Sequence, residues 1–170
     1  MTTIEIARGY IKYYYNYRLH RTDGPAIEYL DGNREWYLHG KLHREDGPAI
    51  EHIGNKNIWL NDLLYHRLDG PAVIYIDGGK EWFSNGVHHC MDHPSIEYDE
   101  CKKWYLFGQL HREDGPAAEY EVSKYWFQYD KPHRENGPAV ELVTGKVQYW
   151  LCGIQCSIEE YCKLLKLDPS

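Results

Sequence analysis

His43-Arg44-Glu45-Asp46-Gly47-Pro48-Ala49 decides the fold, because it returns along the chain almost unchanged. The same pattern stands at His20-Arg21-Thr22-Asp23-Gly24-Pro25-Ala26, His66-Arg67-Leu68-Asp69-Gly70-Pro71-Ala72, His111-Arg112-Glu113-Asp114-Gly115-Pro116-Ala117 and His133-Arg134-Glu135-Asn136-Gly137-Pro138-Ala139. An altered copy, His89-Cys90-Met91-Asp92-His93-Pro94-Ser95, fills the fourth place. The histidines fall at 20, 43, 66, 89, 111 and 133, a period of 23 residues that shortens to 22 twice. Self-similarity at such a period indicates stacked supersecondary units, each unable to bury its apolar face alone.

Outward from this segment, each repeat continues as an alternating run such as Ala26-Ile27-Glu28-Tyr29-Leu30, a turn such as Asp31-Gly32-Asn33, and a second run such as Glu35-Trp36-Tyr37-Leu38. Two short β-rich runs around an Asp-Gly turn signal a hairpin. His39-Gly40 or Asn85-Gly86, dipeptides that accept positive φ, then lead into the His-Arg-x-Asp-Gly-Pro-Ala corner. Proline fixes its own φ and pushes the residue before it out of the helical region, so the corner is rigid. Its glycine is expected at a φ that β-branched residues avoid, with the aspartate pairing with the arginine or taking turn amides. Strand alternation lines up Tyr13, Trp36, Trp59, Trp82, Trp104, Trp126 and Tyr149 as a column, expected to form a continuous core.

Residues 1–156 are therefore read as an all-β, elongated array of about seven hairpin repeats in a single twisted sheet, opening with a partial unit at Ile4-Glu5-Ile6. Residues 157–170 are read as a capping helix. Ser157 and Glu160 make a capping box, and Ile158, Tyr161, Leu164 and Leu165 share a helical face within a stretch that runs to Leu167. A helix there covers the open edge of the last hairpin.

The pattern WYxxGxxHRxDGPAxEY, present from Trp36 through Ala49, resembles the MORN repeat, and is more closely similar to a variant common in phage and giant-virus proteins. The likeness spans essentially the whole chain, including the closing helix after Ser157. It implies a hairpin array used for protein interaction and no reaction of its own. It further implies a viral accessory protein that binds or inhibits a host factor, such as a defence or toxin protein, in the host cytoplasm.

Composition bounds the function in the same direction. The 170 residues carry a formal net charge of -7, which disfavours direct coating of nucleic acid by counterion release. Five cysteines at irregular spacing, with no basic and apolar leader at the start, suggest reduced thiols and a cytoplasmic setting. No apolar run approaches membrane-spanning length, so no membrane insertion is expected. Sixteen tyrosines and six tryptophans suit both a thin sheet and a contact surface.

Histidine, arginine and aspartate within four residues resemble acid–base machinery. A catalytic group is needed once, however, whereas these recur at each step, so they are read as structure and no catalytic residue is assigned. Binding residues are sought where the repeat departs from its rule. Leu60, Leu63, Leu64 and Tyr65 replace the usual glycine-containing turn in the third unit, and solvent-facing leucines there would mark a partner surface, for which Leu63, Leu64 and Tyr65 are taken as binding residues. His88, His89, Cys90 and His93 crowd the altered fourth corner. Zinc takes such ligands, but the spacing lacks paired CxxC or HxxxH geometry, so neither metal nor cofactor is assigned. The leading expectation is a protein-binding module. An acidic nucleic-acid mimic built on the column Glu5, Glu28, Glu51, Glu97, Glu119 and Glu141 is the second, and a metal-dependent enzyme using the fourth repeat is the third. A homodimer through the uncovered N-terminal repeat is also expected.

Overall fold

The computed structural model describes residues 1–166, and Leu167 of the expected helical stretch lies outside them. The chain is an all-β hairpin array closed by one short helix, and its residue contacts divide it into two units, Met1–Val87 and the segment from His88 onward. In the first unit the sheet runs Thr2–Ala7, Tyr10–Tyr15, Ile27–Tyr29, Arg34–Glu35, Ile50–His52, Lys56–Ile58, Val73–Tyr75, Lys80–Glu81, each strand antiparallel to the next. In the second the order is Ile96–Tyr98, Cys101–Lys103, Ala118–Tyr120, Ser123–Tyr125, Val140–Leu142, Val147–Leu151, Ile154–Cys156.

Each repeat contributes more than the one hairpin its Asp-Gly turn announces. The connection after the tryptophan is itself a two-stranded ribbon, Tyr37–Leu38 with Lys41–Leu42 in one repeat and Tyr105–Leu106 with Gln109–Leu110 in another. Its turn has φ > 0 at both central residues, as in His39 (52°) and Gly40 (84°), which is the type I′ geometry that matches strand twist. The same pair of left-handed residues recurs at Asn16-Tyr17, Asp62-Leu63, Asn85-Gly86, Phe107-Gly108, Tyr129-Asp130 and Cys152-Gly153. The turn is thus kept even where its glycine is lost.

The core is also displaced from its expected place. The aromatic column is only half-buried, whereas Ala26, Ala49, Ala72, Ala117 and Ala139 are wholly inaccessible. Adjacent strand residues point to opposite faces, yet Ile27, Val73, Ala118 and Val140 beside those alanines are buried too, so the sheet is covered on both sides along this line. Each alanine carbonyl accepts the amide of the preceding aromatic, as from Trp36 N to Ala49 O at 2.9 Å and Trp104 N to Ala117 O at 2.8 Å. At the fourth corner Ser95 takes the alanine's place. It is equally inaccessible, and its hydroxyl bonds both the amide and the carbonyl of Tyr105 at 3.1 Å, so the buried hydroxyl is itself satisfied.

The half-buried rings serve instead as platforms for the corner arginines. Arg44 lies 4.0 Å over Trp36, Arg67 4.3 Å over Trp59, Arg112 4.0 Å over Trp104 and Arg134 3.9 Å over Trp126. Each guanidinium donates from Nε to the side chain two residues on, as Arg44 does to Asp46 at 3.0 Å, and from Nη1 to the proline carbonyl. Arg21, Arg44, Arg112 and Arg134 also reach the glutamate seven residues on, and Arg44 meets Glu51 at 2.8 Å. The third repeat has Ile74 at that place, and Arg67 keeps only the first two partners.

This geometry corrects the reason for the corner glycine. Gly24, Gly47, Gly70 and Gly115 are not in the left-handed region. A Cβ at Gly47 would lie 2.7 Å from Arg44 Cζ, and one at Gly115 2.8 Å from Arg112 Cζ. At these four corners glycine is required because the guanidinium lies against the backbone, whereas Gly137 of the sixth corner does have the expected positive φ, 146°. Where Cys90 replaces the arginine, His93 replaces the glycine, and the two side chains touch at 3.2 Å.

The arginines hold the carboxyls of Asp23, Asp46, Asp69 and Asp114 below the usual range, chiefly by direct hydrogen bonds. A folded-state pKa lower than the unfolded one, about 3.9, contributes stability that is complete above that value and is lost as pH falls through the folded values. The thermal midpoint should accordingly stay level from about pH 7 to pH 5 and fall below about pH 4. A midpoint unchanged down to about pH 2 would show that these pairs contribute nothing.

The helix Ile158–Leu165 begins at Ser157 with the full capping box: Ser157 Oγ accepts from Glu160 N, and Glu160 accepts from Ser157 N. Ile158 and Leu164 of its expected apolar face remain exposed, and Tyr161 carries the docking. Only 3% of Tyr161 is accessible. Its hydroxyl accepts from Gly137 N at 2.9 Å and lies 3.0 Å from Arg134 O, so the helix is pinned to the sixth corner.

Candidate functional site

The seven residues singled out by irregularity separate into two groups with different surroundings. Leu63, Leu64 and Tyr65 belong to the third repeat's ribbon, in which Leu60–Asn61 pairs with Leu64–Tyr65. All three are exposed, Leu63 by 54% and Leu64 by 47%. Leu63 occupies the second position of the type I′ turn at φ 68°, where Gly40, Gly86, Gly108 and Gly153 stand in four other repeats and Tyr17 and Asp130 in the remaining two. Left-handed backbone costs an L-residue about 1–2 kcal/mol. A strained, exposed leucine is hard to attribute to folding. Replacing Leu63 by glycine should raise stability by about 0.5–1 kcal/mol, read as a higher denaturation midpoint; a lower midpoint would assign the side chain a structural role.

Leu64 shows the same separation of duties by comparison along its column. The stem of Arg18 lies 3.5 Å from where a Cβ on Gly40 would be, the stem of Lys131 lies 3.6 Å from that of Gly153, and Leu64 lies over Gly86 in the same manner. An aliphatic stem at this place therefore packs on the following turn, and a charged tip is compatible with it. The column reads Arg18, Lys41, Leu64, Val87, Gln109, Lys131, Ile154. Val87, 44% exposed, adds to the leucines in the first unit, because Leu64 packs on the glycine immediately before it. Val87 was not among the residues picked from sequence. Aligning the second ribbon strand by position, which shows the change from basic to apolar, is the signal that identifies it.

His88, His89, Cys90 and His93 are not gathered on one centre. His89 plays the ordinary corner role: its Nδ1 accepts the amide of Phe107 at 3.3 Å, as His20 accepts from His39 at 3.1 Å and His133 from Cys152 at 3.0 Å, and its ring stacks on Phe107. The acceptor role places the proton of each neutral ring on Nε2. The ring of His88 lies 5.3 Å from that of Tyr105. His93 donates from Nδ1 to Pro94 O at 2.9 Å and rests against Cys90. Among the described residues, no three His, Cys, Asp or Glu side chains are placed to hold one metal ion. All five cysteines are free thiols, and no helix of the described residues is long and apolar enough to cross a membrane.

The glutamate column, in contrast, is largely engaged inside the molecule. Glu28, Glu51, Glu119 and Glu141 bind their corner arginines, Glu97 meets Lys102 at 3.6 Å, and Glu5 accepts from Tyr10 and Tyr14. The outward acids are at the corners, where Glu45, Glu113 and Asp46 are more than four-fifths exposed. Compared with known proteins, the chain matches no protein-family model and no curated sequence.

Proposed function

We propose that the chain is a non-enzymatic protein-binding repeat module whose partner surface includes Leu63, Leu64 and Val87. The observation that supports this most is the column in which the basic or polar residues Arg18, Lys41, Gln109 and Lys131 give way to exposed leucine and valine in two adjacent repeats, as they do again only at Ile154 in the last ribbon, with Leu63 held at a left-handed φ beside the first two. Exposed apolar side chains on a rigid ribbon suit interface anchors, since a few buried contacts carry most of an interface's energy. By its MORN-like resemblance the protein belongs to a virus and its partner is a host factor in the cytoplasm. A second copy of the chain is a further partner, met through the strand Thr2–Ala7, in which every residue is exposed.

The competing reading, nucleic-acid mimicry, loses the support of the glutamate column and rests on the corner acids alone. The experiment is affinity capture from host extract followed by titration of the recovered partner. Leu63→Ser/Leu64→Ser should weaken binding by about tenfold or more, and Ile53→Ser, at an exposed site outside the column, should not. Equal affinity of all three proteins would move the binding surface elsewhere, and competition by DNA would support mimicry.

A further inference from the structure

Successive corners enclose grooves, two in each unit. Those between the first and second and between the second and third corners measure ≈ 660 Å³ and ≈ 700 Å³, and those between the fourth and fifth and between the fifth and sixth ≈ 420 Å³ and ≈ 620 Å³. The first has an apolar floor of Pro25, Trp36 and Leu38, with Glu45 and Asp46 on its rim. Its arginines are satisfied internally by aspartate, glutamate and proline carbonyl, leaving the outer carboxylates as the groups offered to solvent. The groove after the fourth corner is the most acidic. With Cys90 in place of arginine, it sets Arg112 alone against Asp92, Glu113 and Asp114.

We propose that the corner edge of each unit binds an extended basic segment of a partner protein, in polyproline II conformation, with lysine or arginine at every third residue. The spacing selects that conformation. Each repeat adds two strands to the sheet, so successive grooves are about 9.6 Å apart. A polyproline II helix brings every third side chain back to one face after about 9.3 Å. A β-strand returns every second side chain after only about 6.7 Å and turns the third one away, so it falls out of step within one repeat. The chemistry agrees. Proline rings suit the tryptophan that lines each of the four grooves, as in other aromatic-lined grooves for such segments, and the cations meet the aspartates and glutamates of the rim. Duplex nucleic acid presents one charge per about 1.7 Å of axis, a far denser array than the one or two outward carboxylates of each corner, so a surface that grips phosphates is a poor match.

This inference is independent of the Leu63 surface, and its test separates the two. The full chain is titrated, by tryptophan fluorescence at about 150 mM salt, with a Pro-Pro-Arg repeat peptide of about nine residues, long enough for the corners of one unit, and with a peptide of the same composition whose arginines are contiguous. The spaced peptide should bind at least about tenfold more tightly. Glu45→Gln/Glu113→Gln/Glu135→Gln should lower its affinity about tenfold at an unchanged thermal midpoint, while Leu63→Ser/Leu64→Ser should bind it as the wild type does. Equal binding of the two peptides, or full affinity in the glutamine variant, would overturn the proposal. Preference for contiguous arginines would favour nucleic-acid mimicry in its place.

Discussion

Tyr161→Ala should destabilise the C-terminal repeats by about 3–5 kcal/mol, in the range for removing a buried ring. Tyr161 is the buried residue of the helix; its ring lies tilted against that of Tyr149, with centroids 4.8 Å apart, and it bonds the backbone of the sixth corner through its hydroxyl. Its loss would take away both the ring and the only link from the described helix to Gly137. Tyr161→Phe keeps the ring but strands the Gly137 amide, for a loss of about 1–3 kcal/mol. Urea denaturation followed by circular dichroism reads both values. If alanine and phenylalanine variants unfold together, the hydrogen bonds dominate the docking; if neither differs from the wild type, the helix is not what closes the array.

The corner glycine gives the second large effect. Gly47→Val should cost about 2–4 kcal/mol, because a Cβ at 2.7 Å from Arg44 Cζ expels the guanidinium from Trp36, Asp46, Pro48 and Glu51 together. The fourth corner supplies a sharper version, since nature there changed both members of the pair. Gly47→His alone should be as harmful as valine. The double variant Arg44→Cys/Gly47→His should recover about 1–3 kcal/mol of that loss, with Arg34, 3.9 Å from Glu51, partly replacing the missing cation. Strict additivity of the two substitutions would refute the coupling between glycine and arginine.

Much of the fold was legible because the period writes it several times over. The hairpin at Asp31-Gly32, the pairing of Arg44 with Asp46 and the capping box at Ser157 each follow from local rules that tertiary context did not override. The ribbon turns at Asp62-Leu63 and Asn16-Tyr17 were hidden because their glycine is absent, and only the repeat's geometry keeps them left-handed. The alanine core was missed for a different reason. Size and polarity favour tryptophan as the buried residue, but the arginine needs a ring face, which holds the tryptophan near the surface and leaves alanine beneath. Gly47 was recognised as indispensable but for the wrong cause, since close approach of a side chain from the same corner cannot be told from positive φ in a sequence. Leu63 and Leu64 were legible as exceptions to the repeat, whereas Val87, an ordinary strand residue, became visible only against Arg18, Lys41 and Lys131 in its column.

The claim that regular columns hold this fold while the interrupted column faces a partner is tested most directly by restoring the rule. The variant Leu63→Gly/Leu64→Lys/Val87→Lys gives the third and fourth ribbons the residues found in their neighbours. Its thermal unfolding midpoint should equal or exceed that of the wild type, because strain at position 63 is relieved and a lysine stem packs on Gly86 as Lys131 packs on Gly153. A midpoint several degrees below the wild type, equivalent to a loss of about 1 kcal/mol or more, would show that these apolar side chains serve the fold and would contradict the account.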